Sequence, residues 1–161
     1  MSAPVPAEPA VEWQWSAFDE LDTHALYEIL AQRQDVFVLE QQCLFQDMDG
    51  VDQLSHHLLA WQIRDGRRVL SAYLRSVPPG ICFAEASLGR VLCARAARGT
   101  GLGKRLFAEG VRRIVAQYPG QPVRIGAQQY LEQFYAGFGF QTCSQPYLED
   151  AIWHVEMVRP G

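Results

Sequence analysis

The sequence predicts an α/β fold in which a mixed, mostly antiparallel central sheet is flanked by helices. Three observations carry this reading. Strand-like and helix-like hydrophobic periods follow one another along the chain; the pair Asp65-Gly66 joins two apolar runs as a hairpin turn would; and a glycine-rich stretch leads from a strand pattern directly into an amphipathic helix. With 161 residues the chain can bury one core and is short for two. Residues 11–161 are therefore read as one domain, behind a Pro/Ala-rich flexible tail at residues 1–10.

Residues 11–18 alternate apolar and polar, with Val11, Trp13 and Trp15 on one face, and predict the first strand. After Asp22 or Thr23 as N-cap, Leu26, Ile29, Leu30, Arg33 and Phe37 recur at helical spacing and predict one long helix. The polar loop FQDMDGVDQ follows, then strands at 56–63 and 68–77 on either side of the Asp-Gly turn. Pro78-Pro79-Gly80 interrupts the chain before a third strand at 81–93, with a bulge expected near Ser87-Leu88-Gly89. In the next helix Leu102, Leu106, Val111, Ile114 and Val115 share one face, and Lys104, Arg105, Glu109, Arg112 and Arg113 lie largely opposite. Tyr118-Pro119-Gly120 ends that helix. A strand at 122–127, a short helix at 131–140 closing at Gly137 or Gly139, and two strands flanking residues 146–150 complete the order.

The bulk composition, 48% hydrophobic and 20% charged, is that of a folded soluble protein. A formal charge of −4 provides no general attraction to nucleic acid. No apolar run approaches the roughly 20 residues of a membrane span. The N-terminus has neither a basic nor an apolar signal region, so a cytoplasmic location is expected. Cys43, Cys82, Cys93 and Cys143 form no C-x-x-C pair and define no zinc spacing. Asp47-x-Asp49-Gly50 resembles a calcium loop, but its glycine comes too early and Leu58 stands where a Glu is required. His56 and His57 would face opposite sides of a strand. No metal is predicted.

The stretch RGTGLGKRL, starting at Arg98, brings three glycines and several positive charges to a helix entrance. Helix N-termini carry unpaired N–H groups and partial positive charge, which suits an anion. A Walker A loop does not fit, because Arg98 stands where its first glycine belongs and Arg105 follows Lys104. A dinucleotide G-x-G-x-x-G does not fit either, since the count ends on Lys104 or Leu106. The remaining pattern is R-x-x-G-x-G, with Arg98, Gly101 and Gly103; an ordinary glycine-rich turn is the alternative to an anion cradle.

This pattern resembles the acyl-CoA loop of the GNAT superfamily of N-acetyltransferases. The stretch Phe134-Tyr135-Ala136-Gly137-Phe138-Gly139-Phe140 is similar to that family's F-Y-x-x-x-G-F element, although such aromatics also serve as plain core packing. A narrower resemblance, to the ElaA-type branch, runs from about Trp13 to Met157 through LAQRQDVFVLEQQCLFQDMDGVDQ, LGRVLC, IGAQQYLEQFYAGFGF and YLEDAIWHVEM. Ala151-Ile152-Trp153 departs from the Gly-Ile-Pro turn of that branch. The resemblance implies the GNAT acyl-CoA N-acyltransferase fold and an acetyltransferase that uses acetyl-CoA or coenzyme A as co-substrate. It implies main-chain binding of the pantetheine arm at Val91, Leu92 and Cys93. It implies a pyrophosphate cradle made of Arg98, Gly99, Thr100, Gly101, Leu102, Gly103 and Lys104.

In the family an amine attacks the thioester directly in a ternary complex, and Tyr135 matches the residue that protonates the departing thiolate. The partners implied are acetyl-CoA and an amine acceptor, with a homodimer left open. A non-catalytic CoA-binding or sensory protein of the same fold is the alternative. A thiol near a thioester could also accept the acetyl group, so an acyl-Cys93 route is the rival to direct transfer. Glu40, Asp47, Asp49, His56, His57, Glu85 and His154 are the candidates for a general base.

Overall fold

The structure is a computed structural model that describes Pro4 and residues 7–161; part of the tail expected at residues 1–10 lies outside the described residues. At the tail's end the Pro9 carbonyl accepts from Gln62 Nε2 at 2.9 Å. Strand β1, Glu12–Ala17, lies antiparallel to β2, His56–Arg64, and β2 lies antiparallel to β3, Arg67–Val77. The hairpin turn is the expected Asp65-Gly66, with φ of 49° and 74°, the pair of left-handed conformations that a two-residue connection needs. The first sheet has the order β1-β2-β3-β4.

Helix α1, Thr23–Arg33, is capped by Asp22, whose carboxylate accepts from the Ala25 N–H at 2.7 Å. The expected single helix changes pitch after Arg33: Gln34–Glu40 is a π-helix. Its wider turns are seen in the Gln41 N–H bonding to the Val36 carbonyl. The change starts at a side chain that is wholly buried and held by two ion pairs, described below.

Strand β4, Ser87–Cys93, is shorter than the strand expected at 81–93, because residues 81–86 are irregular. Its bulge also lies further along than Ser87-Leu88-Gly89. Tyr73 faces Leu92 and Arg75 faces Gly89, so Arg90 and Val91 together stand opposite Leu74. Arg90 takes a φ of 52°, and a bulge of this kind leaves a residue of the ladder unpaired. Helix α2, Leu102–Gln117, then crosses the sheet with Gly110 against Leu74: a Cβ on Gly110 would meet Leu74 Cδ2 at 2.6 Å.

Strand β5, Val123–Gln128, and helix α3, Glu132–Ala136, follow; the helix ends at Gly137, inside the expected span. The tail forms three strands instead of two, because the segment expected as a loop at 146–150 is itself partly paired. They are β6, Gln141–Thr142, β7, Tyr147–Glu149, and β8, Ile152–Arg159. β8 pairs with β5 on one side and with β6 and β7 on the other.

The main core packs Leu58, Leu74, Leu106, Phe107, Ile125 and Met157 between the sheets and α2, and a second cluster packs α1 through Ile29 onto Leu59, Tyr73 and Leu92. The two sheets are joined just before β4 and at the start of β5. There a parallel bridge joins Ala86 to Val123, and Arg124 N–H bonds to the Ala86 carbonyl at 3.0 Å. Beyond that point β4 and β5, running parallel, part company. Among the described residues no helix is long and apolar enough to cross a membrane.

Candidate active site

The parting of β4 and β5 opens a cleft of about 1070 Å³, with Gly89 to Cys93 on one wall and Ile125, Gly126 and Gln128 on the other. Leu92 turns its side chain into the core on the α1 side and is 3% exposed. At this residue the cleft wall is therefore main chain. The bulge at Arg90 and Val91 interrupts the pairing with β3, and past the Ala86 bridge the other edge of β4, the last strand of its sheet, has no strand partner; unpaired backbone of this kind can hold an extended ligand or a developing oxyanion. Cys93 also lines the cleft. Burial pushes its thiol up, with Arg98 only partly opposing, so the thiolate needed for an acyl-cysteine route is disfavoured.

The glycine loop lies at the end of this wall. Gly99 and Gly101 take φ of 76° and 82°, and Gly101 is the left-handed N-cap of α2. The first N–H bonded back along the helix is that of Arg105, to the Gly101 carbonyl at 3.2 Å. The N–H groups of Leu102, Gly103 and Lys104 thus have no intrahelical acceptor, the condition that suits an anion. Leu102 itself points into the core, Lys104 is exposed, and Thr100 Oγ1 closes the loop by donating to the Ala97 carbonyl at 2.7 Å. Arg98 turns back on the protein: it donates to both oxygens of Glu40 and, through Nε, to the Cys93 carbonyl at 3.2 Å. It ties the loop to the end of the π-helix.

Tyr135 lines the opposite side of the cleft and is 8% exposed. Phe107 packs on it edge-on at 4.9 Å, within a cluster that includes Phe134, Phe138 and Phe140. Its hydroxyl has no hydrogen-bond partner among the described residues. Burial pushes the phenol up to about 12, and Tyr130 adds to the effect. It is protonated throughout the neutral range.

A buried network next to the cleft accounts for two of the candidate bases, Asp47 and Asp49. Arg33, 0% exposed, donates to Asp47 at 2.8 Å and to Asp52 at 2.6 Å. Arg75 bonds both oxygens of Asp49 and also Asp52, and Arg90 bonds Asp47 and Asp49. Burial opposes ionisation of Asp49 and Asp52, but the arginines overcome it and hold both carboxyls well below the usual range. These groups are charged partners of arginine, unsuited to collecting a proton. Sequence reasoning missed Arg33, Arg75, Arg90 and Asp52 as a unit; the D-x-D-x-x-D spacing of the loop was the only local signal.

The other candidates separate in the same way. Hydrogen bonds from Arg98 depress Glu40, and those from Arg124 depress Glu85. His57 is 1% exposed, with Tyr73 Oη and the Asp52 carbonyl on its two ring nitrogens, and burial lowers it. His56 lies outside the cleft lining, stacked on Trp15. His154 does line the cleft, stacked on Tyr147 with ring centres 5.8 Å apart. Gly126 leaves room at the end of the Tyr147 ring: a Cβ there would stand 3.3 Å from Tyr147 Oη, a tight contact. Among the described residues no group of three His, Cys, Asp or Glu side chains is placed to hold a metal ion.

A family model described as an acetyltransferase (GNAT) domain matches residues 46–159 of this chain. The chain is 39% identical over 148 residues to a UPF0039 protein of Synechocystis sp., covering 92% of this chain and 94% of that protein. Its structure resembles the crystal structure of an acyl-CoA N-acyltransferase from Pseudomonas aeruginosa, with a TM-score of 0.86, 38% identity, and coverage of 93% of this chain and 99% of that one. It resembles Escherichia coli ElaA with a TM-score of 0.85, 35% identity and the same coverage. The resemblance read from the glycine loop and the F-Y-x-x-x-G-F element, including its ElaA-type branch, is thereby borne out.

Proposed function

The chain belongs to the GNAT acetyltransferase family, and from that premise we propose that it transfers an acetyl group from acetyl-CoA to an amine by direct attack in a ternary complex. The observation that carries this reading is the order of unpaired backbone along the chain. The unpaired edge of β4 leads through Cys93 and Arg98, both in the cleft lining, to the N–H groups without intrahelical acceptors at the start of α2. An extended pantetheine arm can pair with the first, and the pyrophosphate with the second. The thioester carbon then lies in the cleft opposite Tyr135, whose phenol gives its proton to sulfur as the C–S bond breaks. Residues 11–161 act in this as one domain, since β1 is built into the sheet that ends in β4.

The test is calorimetry with CoA, combined with release of free thiol from acetyl-CoA in the presence of small amines, polyamines, amino acids and peptides. Gly101→Val cannot keep the left-handed N-cap without strain and should weaken CoA binding about tenfold or more, the loss of a charge-assisted hydrogen bond or two. An unchanged affinity in a folded Gly101→Val protein would show the loop assignment to be wrong. Tight CoA binding with no turnover across the whole panel would favour the sensory role.

A further inference from the structure

The cleft contains one acid-base pair that the arginines leave alone. His154 Nδ1 lies 2.8 Å from the Ile152 carbonyl, and a carbonyl can only accept, so Nδ1 carries the hydrogen. The lone pair of the neutral ring is therefore on Nε2, which lies 3.8 Å from Glu149 Oε2. Glu149 and its neighbour Asp150 have no Arg or Lys partner among the described residues, whereas Glu40, Asp49 and Glu156 are bonded to Arg98, Arg75 and Arg124. Phe37, Phe45, Phe83 and Tyr147 supply apolar wall to the same cleft.

Resting on the acyl-transfer reading of the cleft, we propose that His154 is the general base for the acceptor, and that the acceptor is a protonated monoamine with an apolar body. Its ammonium group enters beside Glu149 and its carbon body lies along the aromatic wall. A polyamine fits less well, because beyond Glu149 and Asp150 the described carboxylates that line the cleft, Glu40, Asp49 and Glu156, are already bonded to arginines and none is free for its other charges. The groups around the imidazole are Tyr147 and Glu149 of β7, Asp150 at the turn, Glu156 further along β8 and already neutralised by Arg124, Gln128 at the end of β5, and Tyr130 in the turn that follows it, which lines the same cleft.

The protons balance. His154 Nε2 takes one from the ammonium, and Glu149 offers the imidazolium a counter-charge. The freed amine forms the C–N bond, the C–S bond breaks, and the thiolate takes the Tyr135 proton. The phenol is restored by the second proton leaving the nitrogen, and the imidazolium returns its proton to water.

The experiment is thiol release from acetyl-CoA with 2-phenylethylamine and with spermidine, over a range of pH, in the wild type, His154→Ala, His154→Gln and Glu149→Gln. 2-Phenylethylamine should be the better acceptor by kcat/KM. His154→Ala should lower kcat about 10²–10⁴-fold and abolish the acid limb of its pH profile, with partial rescue by added imidazole and an unchanged Kd for CoA by calorimetry. His154→Gln keeps a donor for the Ile152 carbonyl and should be equally slow, which separates base loss from loss of fold. Glu149→Gln should raise KM for the amine about tenfold and keep the acid limb. Wild-type kcat and an intact acid limb in either His154 variant would overturn the base assignment, and a preference for spermidine would overturn the acceptor class. Absence of thiol release with every amine tried, despite CoA binding, would instead overturn the acyl-transfer reading itself.

Discussion

The phenol of Tyr135, pushed up to about 12 by its burial, sits well above the roughly 8.5 of a thiol. Full transfer of its proton to a free thiolate would be uphill by about 3.5 pKa units, or about 5 kcal/mol. The transfer is affordable only in step with C–S cleavage, when charge is still building on sulfur. Tyr135→Phe keeps the ring that Phe107 packs against, so it should lower kcat about 10²–10⁴-fold and leave the CoA Kd unchanged. The raised phenol also moves its alkaline limb above the value near 10 of a free tyrosine. Wild-type kcat should therefore stay flat up to about pH 10 as far as this residue is concerned. A Phe variant with wild-type kcat would leave Tyr135 a packing residue.

At the level of elements, the β7-β8 hairpin turns through Asp150 and Ala151, with φ of 48° and 62°. This is the place where the ElaA-type pattern has its glycine and this chain does not. A left-handed alanine costs about 1–2 kcal/mol, and the flexibility that glycine adds to the unfolded chain returns part of it. Ala151→Gly should therefore stabilise the protein by about 0.5–1 kcal/mol, a Tm rise of about 1–4 °C by calorimetry. A fall in Tm would mean that the turn is held by more than its own torsions, for example by Cys43 Sγ donating to the Asp150 carbonyl at 3.3 Å. The π-helix makes a similar point at larger size. Its last residue, Glu40, reaches Arg98 of the glycine loop, so the element that follows α1 is tied to the proposed donor site.

Across the molecule, three buried or half-buried arginines and three aspartates join α1, the loop after the π-helix, β3 and β4 into one electrostatic knot. Asp49 and Asp52 are depressed when folded, so their contribution is complete above the unfolded carboxylate value near 3.9 and is lost as pH falls below it toward their folded values. Tyr73 and Tyr135 are raised, which adds a loss of stability above about pH 10, where unfolded tyrosine ionises. Buried His57 is lowered, which adds a loss of stability as pH falls below about 6.5, and half-buried Cys93 is raised, which adds one above about 8.5, so urea denaturation should show its plateau between these two inner limits. Asp52→Asn removes a carboxylate shared by buried Arg33 and Arg75 and should destabilise by about 3–5 kcal/mol at neutral pH. Loss of less than 1 kcal/mol would show the knot to be dispensable. The sequence by itself determined the features set by neighbouring residues: the Asp65-Gly66 turn, the glycine-led entry to α2, a helix cap at Asp22 or Thr23, and the fold class that these and the periodicities imply. Only the tertiary structure decided the choice of Asp22 as the cap, the position of the bulge at Arg90, the change of pitch after Arg33, and which candidate base in the cleft stands beside a carboxylate free of arginine. For the last three the causes are partners distant in sequence: Arg33 meets Asp47 and Asp52 across 14 and 19 residues, and Arg90 meets Asp47 across 43. Backbone preference acts over a few residues, whereas a carboxylate becomes a counter-ion or a base according to which charges the folded chain brings beside it.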